Sequence, residues 1–143
     1  MIVSMKTIDL LFAISFVLFV SCKAVETPEP YGVLPTDAQV EWQKMEYNMF
    51  IHFGPNTFSG NEWGSGKEKA ELFNPSSLDC RQWVSIAKAA GMKGIIITAK
   101  HHDGFCLWPS PYSTHTVAQS TWKNGDGDIL KELSDACREG GLK

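Results

Sequence analysis

The chain has 143 residues, 43% of them hydrophobic and 20% charged, a composition that folds rather than stays disordered. A formal net charge of −3 gives no basic surface, so no nucleic acid is expected as a partner. The length suits one small domain.

The first stretch, MIVSMKTIDLLFAISFVLFVSCK, stands apart from the fold. Lys6 precedes an apolar run from Leu10 to Val20, shorter than the ~20 apolar residues of a membrane span. A basic start, a short apolar core and then small Ser21 read as a secretory signal. The FVSC ending resembles a bacterial lipoprotein signal, in which cleavage leaves Cys22 as the lipidated first residue. A plain secretory signal with an incidental Cys22 is the alternative, and Met5 is a second possible start. The expected division is a lipoprotein signal over 1–21, a tether over 22–38, rich in proline, and one folded region over 39–143. The product would be exported and held to a membrane of the bacterial envelope by its N-terminal lipid. Three further cysteines, Cys80, Cys106 and Cys137, have wide spacing and give no disulfide framework.

Residues 39–48, QVEWQKMEYN, predict a short helix with Trp42 and Met45 on one face. Met49 to Phe53 is a short apolar run stopped by Gly-Pro, which reads as a strand buried on both sides. Residues 59–75 are glycine-rich and charged, a long loop. Asp79 is a helix N-cap, and Gln82 three residues later completes a capping-box pattern. Trp83, Ile86, Ala87 and Ala90 then form one helical stripe, which makes Trp83 core, and Gly91 stops the helix. Gly94 to Thr98 is a second buried strand. In DGDILKELSDACREGG, Ile129, Leu133, Ala136 and Cys137 share a face, and Gly140 and Gly141 end the helix. Leu142 and Lys143 would begin another strand.

Strand, helix, strand, helix, with continuous rather than alternating apolar strands, is the pattern of parallel strands covered by helices. The fold class is α/β. A (β/α)8 barrel takes about 250 residues, so the chain reads as the opening portion of such a TIM-like barrel, incomplete as given.

In such folds chemistry gathers at the C-terminal ends of the strands. His52 ends the first strand, and His101 and His102 end the second, so three of the four histidines fall on one rim. His115 lies in a loop and gives no comparable signal. Neutral imidazole carries one donor and one acceptor, which suits vicinal sugar hydroxyls. Trp63 and Trp108 offer flat walls for the C–H faces of a sugar, and Glu62 offers an acceptor. Metal binding is the lesser reading, because adjacent histidines diverge from extended backbone and no HxH or HExxH spacing occurs. The plain alternative is structural: a histidine at a strand end that caps a backbone carbonyl.

The blocks MFIHFGPNTF, NEWG, FNPSSLDCRQWVSIAKAAGMKGIIITAKHHDGFCLWPSPYS and GDGDILKELSDACREGGLK together resemble the start of the α-L-fucosidases of glycoside hydrolase family 29, over almost all of residues 40–143. The resemblance implies hydrolysis of terminal α-L-fucosyl residues of glycans with retention of configuration; no cofactor and no metal are expected. It implies that His52, His101 and His102 hydrogen-bond the fucose hydroxyls, with Glu62 and Trp63 adding a polar contact and an aromatic wall. It places no catalytic residue within this chain: the nucleophilic aspartate and the acid/base glutamate would lie beyond Lys143. Asp103 is assigned instead to the turn it makes with Gly104. A non-catalytic carbohydrate-binding lipoprotein is the alternative function.

Overall fold

The computed structural model describes residues 25–143. The signal read over 1–21 and the lipidation read at Cys22 lie outside the described residues. The chain divides into two units, Met1–Pro35 and Thr36–Lys143. In the first, residues 25–35 are exposed and carry no helix or strand.

The second unit opens with helix α1, Asp37–Met45, two residues earlier than 39–48 suggested. Thr36 sets that start through a full capping box: its side chain accepts from the Gln39 amide, and the Gln39 side chain accepts from the Thr36 amide. Strand β1, Asn48–Ile51, follows, then a single helical turn α2, Asn56–Ser59. Helix α3 spans Cys80–Ala89, strand β2 Gly94–Ile97 and helix α4 Ile129–Gly140. The stretch 59–75 is not wholly loop, because Ala70–Leu72 winds into a 3₁₀ turn.

β1 and β2 pair in parallel, with Asn48 opposite Gly94 and Ile51 opposite Ile97. On the far edge of β2, Lys143 N–H donates to Lys93 O at 3.1 Å and Ile95 N–H donates to Lys143 O at 2.8 Å. The backbone at Lys143 therefore joins the ladder, as the sequence led us to expect.

Helices α3 and α4 cover one face of this pair. Ile95 and Ile97 pack there against Val84, Leu133 and Ala136. The expectation of strands buried on both sides fails on the other face. Phe50 is 65% exposed and its register partner Ile96 is 37% exposed. Side chains alternate along a strand, and at these positions the second face is left open to solvent, with only α1 side chains such as Trp42 and Met45 lying beside Ile96. His52 and Thr98 continue the same alternation just past the strand ends.

The α4 face forms as read: Ile129, Leu133, Ala136 and Cys137 are all buried. The α3 face differs in phase. Its buried residues are Cys80, Val84 and Ala87, while Ile86 is 51% exposed. Two overlapping stripes of apolar residues fit the helical period here, and packing against α4 selects the one containing Cys80 and Val84. Trp83 is partly buried and touches both clusters of the core. Cys80, Cys106 and Cys137 are buried free thiols. Burial, with the Glu132 carboxylate adding to it, pushes the Cys80 thiol up to about 11, and burial also raises that of Cys137.

Between β2 and α4 the chain builds the larger core. It turns at residues 101–104 and runs back beside β2, with Lys100 and Cys106 in an antiparallel bridge. This return buries Phe105 and Leu107 among Phe73, Val117, Trp122 and Ile129. Trp122, to which sequence assigned no role, is only 5% exposed. Its ring lies over Gly127 so closely that a Cβ there would sit 2.1 Å from it, so only glycine fits.

Candidate functional site

β1 and the turn after β2 deliver the three histidines to one place. The rings of His52 and His101 meet edge to face with centroids 4.2 Å apart, and those of His101 and His102 do the same at 4.5 Å. The Trp63 indole stands edge-on to His102 at 4.5 Å and nearly parallel to His101 at 6.1 Å. Trp63 therefore reaches the histidines from a loop, which neither strand could have shown.

The turn that holds His101 and His102 has a defined construction. Gly104 N–H donates to His101 O at 3.0 Å, and Gly104 has a φ of +74°, a left-handed conformation that glycine takes without strain. Asp103 Oδ1 accepts from Phe105 N–H at 2.9 Å, and Asp103 is only 4% exposed. Asp103 is thus a turn residue, as read from the sequence, with one carboxylate oxygen engaged by backbone.

The loop with Glu62 and Trp63 is seated on that turn. A Cβ at Gly64 would lie 2.4 Å from Asp103 Cβ and 3.0 Å from Asn56 Oδ1, so the approach requires glycine. Asn56 Nδ2 donates to Glu62 O at 3.1 Å. Just beyond, Glu68 clasps the loop: its carboxylate accepts from Ser65 N–H at 2.6 Å, Ser65 Oγ at 2.9 Å and Gly66 N–H at 2.9 Å. Those hydrogen bonds, led by that from the Ser65 amide, pull the Glu68 carboxyl down to about 2.

The result is an open cleft of about 510 Å³, lined by His52, His101, Glu62 and Trp63 together with Asn56, Thr57 and Asn61. The last three were missed. No period or spacing links Asn56 to residue 62; only the path of the loop does. Glu68 did leave a signal, since Ser65 and Glu68 have the S-x-x-E spacing of a capping box without a helix after it. His102 backs Trp63 and His101 and is not among the cleft-lining residues. Trp108 is not among them either, which corrects its reading as a second wall. The backbone doubles back at residues 101–104, and Leu107 N–H donates to Ala99 O at 3.0 Å, so residue 108 is carried away from the turn.

His101 is held below the usual imidazole range. Partial removal from water is the main cause, the neighbouring His52 and His102 add repulsion, and Asp103 opposes them. A neutral ring beside a flat indole offers a donor and an acceptor to hydroxyl groups and an apolar wall to C–H groups. Among the described residues, no set of three or more His, Cys, Asp or Glu groups is placed to hold a metal ion. Glu62 is the one carboxylate lining the cleft.

Comparison with known proteins gives a consistent result. Residues 30–143 match the family model described as alpha-L-fucosidase. Alpha-L-fucosidase 1 of Arabidopsis thaliana is 51% identical over 115 residues, which cover 80% of this chain and 23% of that protein. The crystal structure of a glycoside hydrolase 29 family member from an unknown rumen bacterium superposes with a TM-score of 0.76 at 60% identity, covering 80% of this chain and 21% of that one. A Ruminococcus gnavus GH29 fucosidase, solved in complex with fucose, gives a TM-score of 0.71 at 42% identity over 83% of this chain and 25% of that one. The chain spans about a quarter of the length of the curated relatives it matches.

Proposed function

The chain belongs to the α-L-fucosidase family, glycoside hydrolase family 29, and from that premise we propose that its cleft is the sugar-holding rim of an enzyme that hydrolyses terminal α-L-fucosyl residues of glycans. The observation that carries the reading is the convergence of His52, His101 and Trp63 on one cleft at the C-terminal ends of two parallel strands, with the His102 ring packed against Trp63 and His101. On this reading the strand and helix units are the opening portion of a (β/α)8 barrel.

The roles divide by chemistry. His52 and His101 line the cleft and hydrogen-bond sugar hydroxyls, and His102, whose ring meets those of Trp63 and His101, completes the histidine set that the resemblance assigns to the sugar. Trp63 covers the C–H face of the ring, and Glu62 accepts from a hydroxyl. Retention requires two carboxyl groups roughly 5 Å apart across the scissile bond. As the family resemblance implies, the reading takes the nucleophile and the acid/base residue from chain beyond Lys143 and gives neither role to Glu62 or Asp103. The residues here would then act by differential binding. Hydroxyl contacts accelerate the reaction only where they tighten as the ring flattens toward an oxocarbenium-like transition state.

His101→Ala in the full-length protein tests this. The kcat/KM on an aryl α-L-fucoside is expected to fall about 100-fold, the loss of one preorganised transition-state hydrogen bond. An unchanged kcat/KM would reject the role.

Export and lipid attachment complete the proposal. Their support is the sequence alone: Lys6, the apolar run Leu10–Val20, and Cys22 directly after FVS.

A further inference from the structure

Beneath the histidines, three polar side-chain atoms are sealed from solvent with no hydrogen-bond partner in the protein: Asn56 Oδ1, Thr98 Oγ1 and His101 Nδ1. All three residues line one small cavity of about 10 Å³, whose other walls include Phe53, Phe105 and Leu107. Leaving three such groups unpaired would cost about 1–3 kcal/mol each. The space suits a single water, and an internal water needs two to four polar partners. We propose that one water molecule is bound in this cavity by Asn56, Thr98 and His101, and that it sets the tautomer with which His101 faces the cleft.

Counting protons fixes the direction of each bond. Asn56 Oδ1 can only accept, so the water donates to it. The Thr98 hydroxyl proton has no protein acceptor, so Thr98 donates to the water. The second water proton then goes to His101 Nδ1, and the ring proton of neutral His101 stays on Nε2. Asp103 also borders the cavity, but its Oδ1 accepts from Phe105 N–H and its Oδ2 is not among the sealed atoms without a partner, so the atoms that need the water are those of Asn56, Thr98 and His101. His101 lines the cleft and Nδ1 is its sealed nitrogen, so Nε2–H is the group offered outward, as a donor. The neutral ring that this requires agrees with the lowered proton affinity of His101. Asn56 also holds the Glu62 carbonyl through Nδ2, so the same water couples His101 to the loop bearing Glu62 and Trp63. Thr98 and Asn56 are positioning residues in this scheme.

The catalytic consequence rests on the fucosidase reading; the water and the tautomer do not. High-resolution crystallography of the full-length protein should show one water within hydrogen-bond reach of the three atoms. Nitrogen-15 spectra should show His101 Nδ1 bare and Nε2 protonated. Thr98→Val should remove the water and mix the tautomers, with kcat/KM on an aryl α-L-fucoside falling about tenfold. Thr98→Ser should recover most of both losses, which a merely structural role would not require. Direct contact among the three side chains with no water, an ion in the cavity, or a His101 protonated on Nδ1 would overturn the proposal, as would a Thr98→Val protein with an unaltered tautomer. The wild-type spectra decide even where the valine variant fails to fold. A wild-type protein with the water and this tautomer but no turnover would uphold the water site and reject the fucosidase reading.

Discussion

Glu68 shows how a single half-buried side chain shapes the site's outer wall. Its carboxylate holds three donors within a span of four residues, and the loop just before it carries Glu62 and Trp63. The carboxyl is pulled from its ordinary 4.5 to about 2 in the folded chain. Between those values the unfolded chain binds the proton that the folded chain refuses, so the clasp contributes fully above pH 4.5 and is lost as pH falls toward about 2. The Ser65 and Gly66 amide proton shifts should therefore titrate with a midpoint near 2. A midpoint near 4.5 would show that the clasp does not form in solution. The histidines were legible because their place is set by chain order: His52 follows β1 directly, and His101 and His102 follow β2. Asn56 was not, because its bond to the Glu62 carbonyl depends on a loop path that carries no periodic signal.

At the level of elements, α3 and α4 are built alike. Each begins at an aspartate whose side chain accepts from first-turn amides: Asp79 from Arg81 and Gln82, Asp128 from Lys131. The reciprocal Gln82 bond of a full capping box is not formed. Each ends in a Schellman arrangement, with Met92 N–H donating to Ala87 O and Leu142 N–H to Cys137 O, closed by Gly91 and Gly141 in the left-handed region. These stops fix where the chain leaves each helix for β2 and for the ladder at Lys143. The bidentate Arg81–Glu139 pair that links the two helices is exposed and adds little. Start and stop signals of this kind are local, so the sequence states them plainly. The phase of the α3 stripe was not local: Ile86 and Val84 both fit the helical period, and only the presence of α4 decides between them. Asp79→Ala should weaken the start of α3 by about 1 kcal/mol. The check is amide hydrogen exchange, which should quicken at Arg81 and Gln82; unchanged protection there would mean that the cap is dispensable.

Over the unit as a whole, the same register that brings His52 and Thr98 to the rim leaves Phe50 and Ile96 side by side on the uncovered face of the sheet. Both follow from one alternation: the face that is polar at the strand ends is apolar along the strands. A continuous apolar strand in the sequence announces burial on both faces but does not say what supplies the second cover, which is why the strands were legible and their surroundings were not. Among the described residues, β1 pairs only with β2, so one sheet edge also remains open. An open edge beside an exposed apolar strip is a template for self-association. The 143-residue chain produced by itself should therefore bind an apolar dye and sediment as a mixture of oligomers. Replacing Phe50 and Ile96 with lysine should reduce both effects, because charge on that face disfavours stacking while the α3–α4 side of the sheet is untouched. A monodisperse wild-type monomer that melts cooperatively and ignores the dye would show instead that this face is covered, and that the cleft is complete without further chain.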